Sequence, residues 1–297
     1  MKTQDGAAGR RARGSLVDSL PITERRLRLG EVSTAVWVGG EGPPIVLLHG
    51  HGEFAGVWLR VIPELAQRHR VIVPDLPGHG ASDATGARLD TDTVPDWLGA
   101  LIDRTCESKP VVAGHLLGGA IAARYAARHG DRLAHLVLVD TLGLGWFRPK
   151  PSFAIPMMRF VARPTPRSRD RLFDRCFHDM DRVGEGTGAQ WDPLLDYALD
   201  RARDPNVQKA MRRIIPRLGM RPIPSGELAR IGVPTTLIHG RHDLQVDLST
   251  AEAAAAEYGW PLHVIEDCRD DPAAEQPRAF LDAMRTVLGT TEETETS

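Results

Sequence analysis

"PVVAGHLLGGAIAARYAARHG" (residues 110–130) sets a short apolar run, a glycine-flanked turn and an alanine-rich stretch in one line. The run is short and continuous, the pattern of a strand buried on both faces. Gly114 and Gly118 bracket the turn, where the lack of a Cβ lets strand and helix approach closely. The residue at the apex is Leu116, whose side chain has no atom that can attack a substrate or carry a proton. A branched side chain suits positive φ poorly, so the turn is expected to relax, with Leu116 flooring an apolar pocket.

Outward from this stretch, short apolar runs alternate with helical patterns. Strands are expected at 25–30, 33–39, 44–50, 70–76, 110–116, 133–140, 234–240 and 261–267. Helices are expected at about 57–69, 93–106, 117–129, 247–258 and 272–288. Such alternation implies an α/β fold with a mostly parallel sheet. The first two strands have no helix between them and should form an antiparallel edge pair. Residues 146–226 break the rhythm with "IPMMRFV", "RLFDRCFHDMD" and "RRIIPRLGM", a helical insertion expected to cap the sheet. The core is then 19–145 and 227–289. The polar ends, 1–18 and 290–297, are expected to be a disordered arm and tail.

The 297 residues hold 37 basic and 39 acidic side chains, a balance that offers no large positive field for nucleic acid. Three scattered cysteines, Cys106, Cys176 and Cys268, suggest neither a disulfide framework nor a zinc site. The N-terminus lacks the apolar core of a signal peptide, and no run of about 18 apolar residues is present to span a bilayer. A cytoplasmic protein is expected, a monomer or homodimer with a small-molecule substrate and no membrane partner. No metal cluster or dinucleotide glycine motif is visible, so no cofactor is expected.

Four stretches in order resemble the α/β-hydrolase family: "PIVLLHGHGEFAGVWLRVIPELAQRHRVIVPDLPGHGASD" (44–83), the turn at 114–118, "TTLIHGRHD" (235–243) and "CRDDPAAEQPRAF" (268–280). The resemblance implies that family's eight-stranded sheet with a helical cap. It also implies a G-x-S-x-G turn that lifts a serine nucleophile, with backbone amides facing the developing oxyanion. Carried over position by position, Leu116 replaces the serine, Asp270 stands where the family has its histidine, and Asp243 is the acid that remains. The oxyanion amides would be those of His51 and Leu117. His115, Glu53, Trp58 and Trp146 are expected around the pocket with Leu116. No second Gly-x-Ser-x-Gly occurs, and Ser82 and Ser108 lack the strand–turn–helix context.

An isolated aspartate, with its ordinary pKa near 3.9, is a poor base for a hydroxyl. Asp243 and Asp270 packed together should hold one proton between them, raising one pKa. Asp243, Asp270 and His51 are therefore the candidate proton-transfer groups. Three readings remain. The first is a non-hydrolytic enzyme (cyclisation, C–C bond formation, isomerisation or elimination, of the kind found in secondary metabolism) acting on a bulky apolar molecule. The others are a catalytically silent ligand-binding homologue and a hydrolase that activates water directly.

Overall fold

The computed structural model describes residues 2–289, with side chains from residue 7 onward. Strands β1 (Thr23–Leu29), β2 (Val32–Gly39), β3 (Pro44–Leu48), β4 (Arg70–Pro74), β5 (Val111–His115), β6 (His135–Val139), β7 (Thr235–Gly240) and β8 (Leu262–Ile265) form one sheet. Its order is β1-β2-β4-β3-β5-β6-β7-β8. β1 and β2 pair antiparallel at one edge, β2 joins β4 antiparallel, and the remaining neighbours run parallel. Every residue of β3, β5 and β7 is buried, because helices cover both faces of the sheet.

The helices are α1 (Lys2–Asp18), α2 (Ile62–Leu65), α3 (Thr93–Thr105), α4 (Leu117–His129), α5 (Pro151–Ala162), α6 (Pro166–Cys176), α7 (Met180–Thr187), α8 (Trp191–Arg203), α9 (Pro205–Leu218), α10 (Ser225–Leu228), α11 (Leu248–Tyr258), α12 (Pro272–Glu275) and α13 (Pro277–Leu288). Prolines that look like breakers in the insertion open α5, α6 and α9, where the missing N–H has no intrahelical partner to lose. The Thr165–Ser168 capping box fixes the start of α6 as well.

Two expected helices are divided. The one at 57–69 becomes a 3₁₀ turn (Ala55–Trp58) and the single turn of α2, with Pro63 at its start. The one at 272–288 is interrupted before Pro277, which cannot donate to the preceding turn.

The expected disorder of residues 1–18 is corrected, since α1 packs along α8. Leu16 is fully buried. Arg13 reaches Asp75 (Nη2–Oδ2 2.8 Å) and Glu24 (Nε–Oε2 2.6 Å), and its guanidinium lies over the Trp37 and Tyr197 rings. Two isolated anchors in a polar stretch hold the helix, and composition does not reveal them. The expected disordered tail, 290–297, lies outside the described residues.

Candidate active site

The β5–α4 turn does not relax. Leu116 holds φ 43°, ψ −109°, a conformation that disfavours a branched side chain. Close packing enforces it. A Cβ on Gly114 would lie 2.5 Å from the Gly119 nitrogen, and one on Gly118 would lie 2.5 Å from the Leu48 carbonyl oxygen. Leu116 is 1 % exposed and packs into the core on the α4 side of the sheet, so it does not floor the cavity.

The cavity lies beneath the cap and measures about 400 Å³. Apolar side chains of α5, α6, α8 and α9 form its roof and walls, Phe153, Phe173, Trp191 and Met211 among them. Its polar residues include His51, Glu53, Gln245, Asp270 and Asp271. Among the described side chains, His51 Nδ1, Gln245 Oε1 and Asp270 Oδ1 are buried without a hydrogen-bond partner. Unsatisfied buried polar atoms are costly, and these three belong to residues that line the cavity, where a ligand or water would satisfy them.

Gln245, absent from the sequence reading, joins the two carboxylates. Its backbone N–H donates to Asp243 Oδ1 (2.6 Å), and its Nε2 donates to Asp270 Oδ2. Burial pushes Asp243 up to about 7, and burial with the Asp243 charge holds Asp270 well above the ordinary carboxylate range. Asp270 opens on the cavity, whereas Asp243 does not. The arginines beside these two loops, Arg241 and Arg269, pair with neither carboxylate. Arg241 pairs with Glu266, and Arg269 donates to the Asp174 and Phe177 carbonyls.

His51 also reaches the cavity, its ring edge-on to Phe147 at 6.1 Å between centroids. Burial lowers its pKa to about 4, so it is a neutral imidazole near pH 7. His115 is buried under the cavity wall. Its Nδ1 lies 3.1 Å from Glu53 Oε2, and its Nε2 donates to the Asp270 carbonyl. The Glu53 charge outweighs burial and raises His115 well above its ordinary value. Burial would raise Glu53, but His115 brings it down to about 2. Glu53 also accepts from the Gly50 N–H (2.5 Å), so this ion pair ties the β3 loop, the β5–α4 turn and the Asp270 loop together.

Besides Leu116 and His115, two other residues expected around the pocket, Trp58 and Trp146, do not line the cavity. Trp58 is a core residue, edge-on to His115. Trp146 is exposed and borders a separate cleft. Leu117 opens α4, where its N–H belongs to the unpaired first turn, but it does not line the cavity.

Asp140, after β6, also escaped the sequence reading. Its φ of 42° was a signal only the backbone could give. Asp140, His239 and Asp243 bring ligand-type atoms within 4.8 Å of one another, a possible cation site. His239 Nε2 donates to the Val246 carbonyl (3.1 Å), leaving Nδ1 to face Asp140 Oδ1 at 3.3 Å. Burial, followed by the Asp243 charge, raises Asp140 well above its usual range. A proton held on Asp140 satisfies this contact without a cation.

The family profile described as alpha/beta hydrolase fold matches residues 43–274, and the chain belongs to that family. It is 30% identical over 273 residues to the pimeloyl-[acyl-carrier protein] methyl ester esterase of Nitrosospira multiformis, covering 85% of this chain and 97% of that one. The enzyme of the same name from Chromobacterium violaceum is 47% identical over 102 residues, a match spanning 34% of this chain and 38% of that enzyme. The crystal structure of a membrane phospholipase A, a bacterial virulence factor, has a TM-score of 0.80 at 26% identity, covering 96% of this chain and 91% of that one. The relatives' names are those of enzymes, and of hydrolases. They overturn the expectation of a non-hydrolytic cyclase, isomerase or lyase of secondary metabolism.

Proposed function

We propose that this chain hydrolyses a carboxylic ester with an apolar body by direct attack of water, without an acyl-enzyme. The observation that carries this reading is the trio of unpartnered polar atoms, His51 Nδ1, Gln245 Oε1 and Asp270 Oδ1, on residues that line a mostly apolar cavity under the cap helices. The esterase names of the relatives suggest the ester.

In this mechanism a water held by Gln245 adds its oxygen to the ester carbonyl carbon and passes a proton to neutral His51 Nδ1. The carbonyl oxygen takes up the negative charge facing the β3-loop amides at His51. Collapse of the tetrahedral adduct breaks the bond to the alkoxy oxygen, which takes its proton from Asp270. His51 then returns its proton to the Asp270 carboxylate through water. The low pKa of His51 keeps it neutral but makes it a weak base, so its contribution rests on its place beside the attacking water, while burial keeps Asp270 protonated.

The test is steady-state hydrolysis of aryl esters of increasing acyl length. His51→Gln and Asp270→Asn should each lower kcat by about 10²-fold, the size of one acid–base contribution. The acid limb of the pH profile should lie near pH 4. Parent-like turnover in both variants would remove these residues from the reaction.

A second reading is favoured by one observation, the inert Leu116 at the turn: a protein that binds its ligand and releases it unchanged. Tight binding with no product from any ester would support it and sink the first.

A further inference from the structure

All the large apolar side chains most exposed among the described residues lie on one part of the molecule: Trp146 (61 %), Met158 (59 %), Val161, Ile155 and Met220. Ile155 and Met158, three apart, lie on the outward side of α5, away from Phe153 and Met157, which line the cavity, and Val161, one turn after Met157, sits at the boundary between the two faces. Val161 and Met220 line the cavity as well as meeting solvent. The Phe147 N–H donates to the Met220 carbonyl, which places Trp146 beside that same rim. The exposed patch and the cavity mouth are therefore continuous.

Charge is distributed to match. Residues 146–226 hold 16 of the 37 basic side chains and 9 of the 39 acidic ones, a balance of +7 in a chain whose net charge is −2. Arg148, Arg159, Arg163 and Arg221 are exposed on or beside the apolar rim. Salt bridges of the cap use other cations, Lys150, Arg169, Arg175 and Arg201. Two caps placed face to face would set like charge against like, which disfavours a second copy as the occupant of this rim. An apolar stripe flanked by arginines, with a tryptophan at its edge, has the chemistry of a helix lying in a lipid interface.

We propose that the cap rim formed by Trp146, α5 and Met220 seats the protein peripherally on an anionic lipid bilayer, with the cavity mouth facing the acyl chains. Among the described residues no helix is long and apolar enough to cross a membrane, but that bears on spanning, not on surface docking. The rim lets an apolar ligand pass between bilayer and cavity without crossing water. The proposal does not rest on the hydrolytic reading, because docking is measurable whether or not the site turns over.

The full chain should co-sediment at low salt with vesicles containing phosphatidylglycerol, at least about tenfold more than with pure phosphatidylcholine, and less at high salt. Ile155→Asp with Met158→Asp, both on the surface, should remove that binding while leaving the circular dichroism spectrum and the melting temperature near the parent's. Brominated acyl chains should quench parent fluorescence, and Trp146→Phe should lose that quenching. No sedimentation with anionic vesicles overturns the proposal. So does binding that the double variant retains, or binding without quenching, which would mean electrostatic contact alone. A dimer that the double variant dissociates, in a protein that ignores vesicles, would assign the rim to a second copy instead.

Discussion

Two turns at the C-terminal edge of the sheet have diverged in opposite ways. The β5–α4 turn keeps a strained backbone around a side chain with no chemistry. The loop after β8 also bends through a positive φ, at Asp267 (49°), but it caps α12 with Asp271 and carries Asp270, a cavity-lining residue with one oxygen unpartnered. The contrast separates what packing enforces from what residue identity supplies. Gly114 and Gly118 hold φ at Leu116 positive whatever the side chain, because neither the Gly119 nitrogen nor the Leu48 carbonyl can yield. The cavity wall depends on the opposite principle, in which Asp270, Gln245 and His51 matter for the atoms they leave free.

The largest expected effect tests the packing side. Gly118→Ala places a Cβ 2.5 Å from the Leu48 carbonyl and 2.7 Å from that of His49, both backbone atoms. It should cost more than about 4 kcal/mol or prevent folding, as urea denaturation will show. A stable Gly118→Ala protein would mean that the turn is not held by this contact.

Next comes the buried charge behind the cavity wall. Folded Asp243 titrates at about 7, against about 3.9 in an unfolded chain, so between these values the folded state holds a proton that the unfolded state has released. Its contribution to stability is complete below about pH 4 and is lost as pH rises through about 7. Asp243→Asn should therefore flatten the decline in stability with pH and exceed the parent near pH 8, by up to about 4 kcal/mol. Melting curves across pH check this, and an unchanged slope would show that Asp243 is ionised in the fold.

Leu116→Ala comes third. It opens a cavity in the core and should cost about 2–4 kcal/mol while changing turnover by less than about threefold, because Leu116 does not line the ligand cavity. A large loss of turnover with little loss of stability would return Leu116 to the site.

Much of the architecture was legible in the sequence because burial on both faces writes continuous apolar runs. β3, β5, β6 and β7 all fall on such runs, and the unlinked first pair is indeed antiparallel. The helical insertion was legible from its broken rhythm, although Pro151, Pro166 and Pro205 start helices and Pro156 and Pro216 lie within them. The site was legible only in part. Asp270 and His51 could be placed by their position in motifs, but Gln245 and Asp140 join the site through contacts between distant loops that no local pattern records. α1 escaped for a related reason, since its docking depends on Arg13 meeting Asp75, Trp37 and Tyr197 from three separate elements. The backbone at Leu116 could not be foreseen, because local preference is overridden by the close packing of Gly114 and Gly118, two residues to either side.

The most direct test is rapid mixing of excess activated aryl ester with a known concentration of protein, followed by intact-mass measurement. Direct attack by water predicts linear release of the phenol from the first turnover, with no burst and no acylated chain. A burst equal to the protein concentration, with an acyl adduct on the chain, would contradict the account and require a nucleophile that neither turn displays.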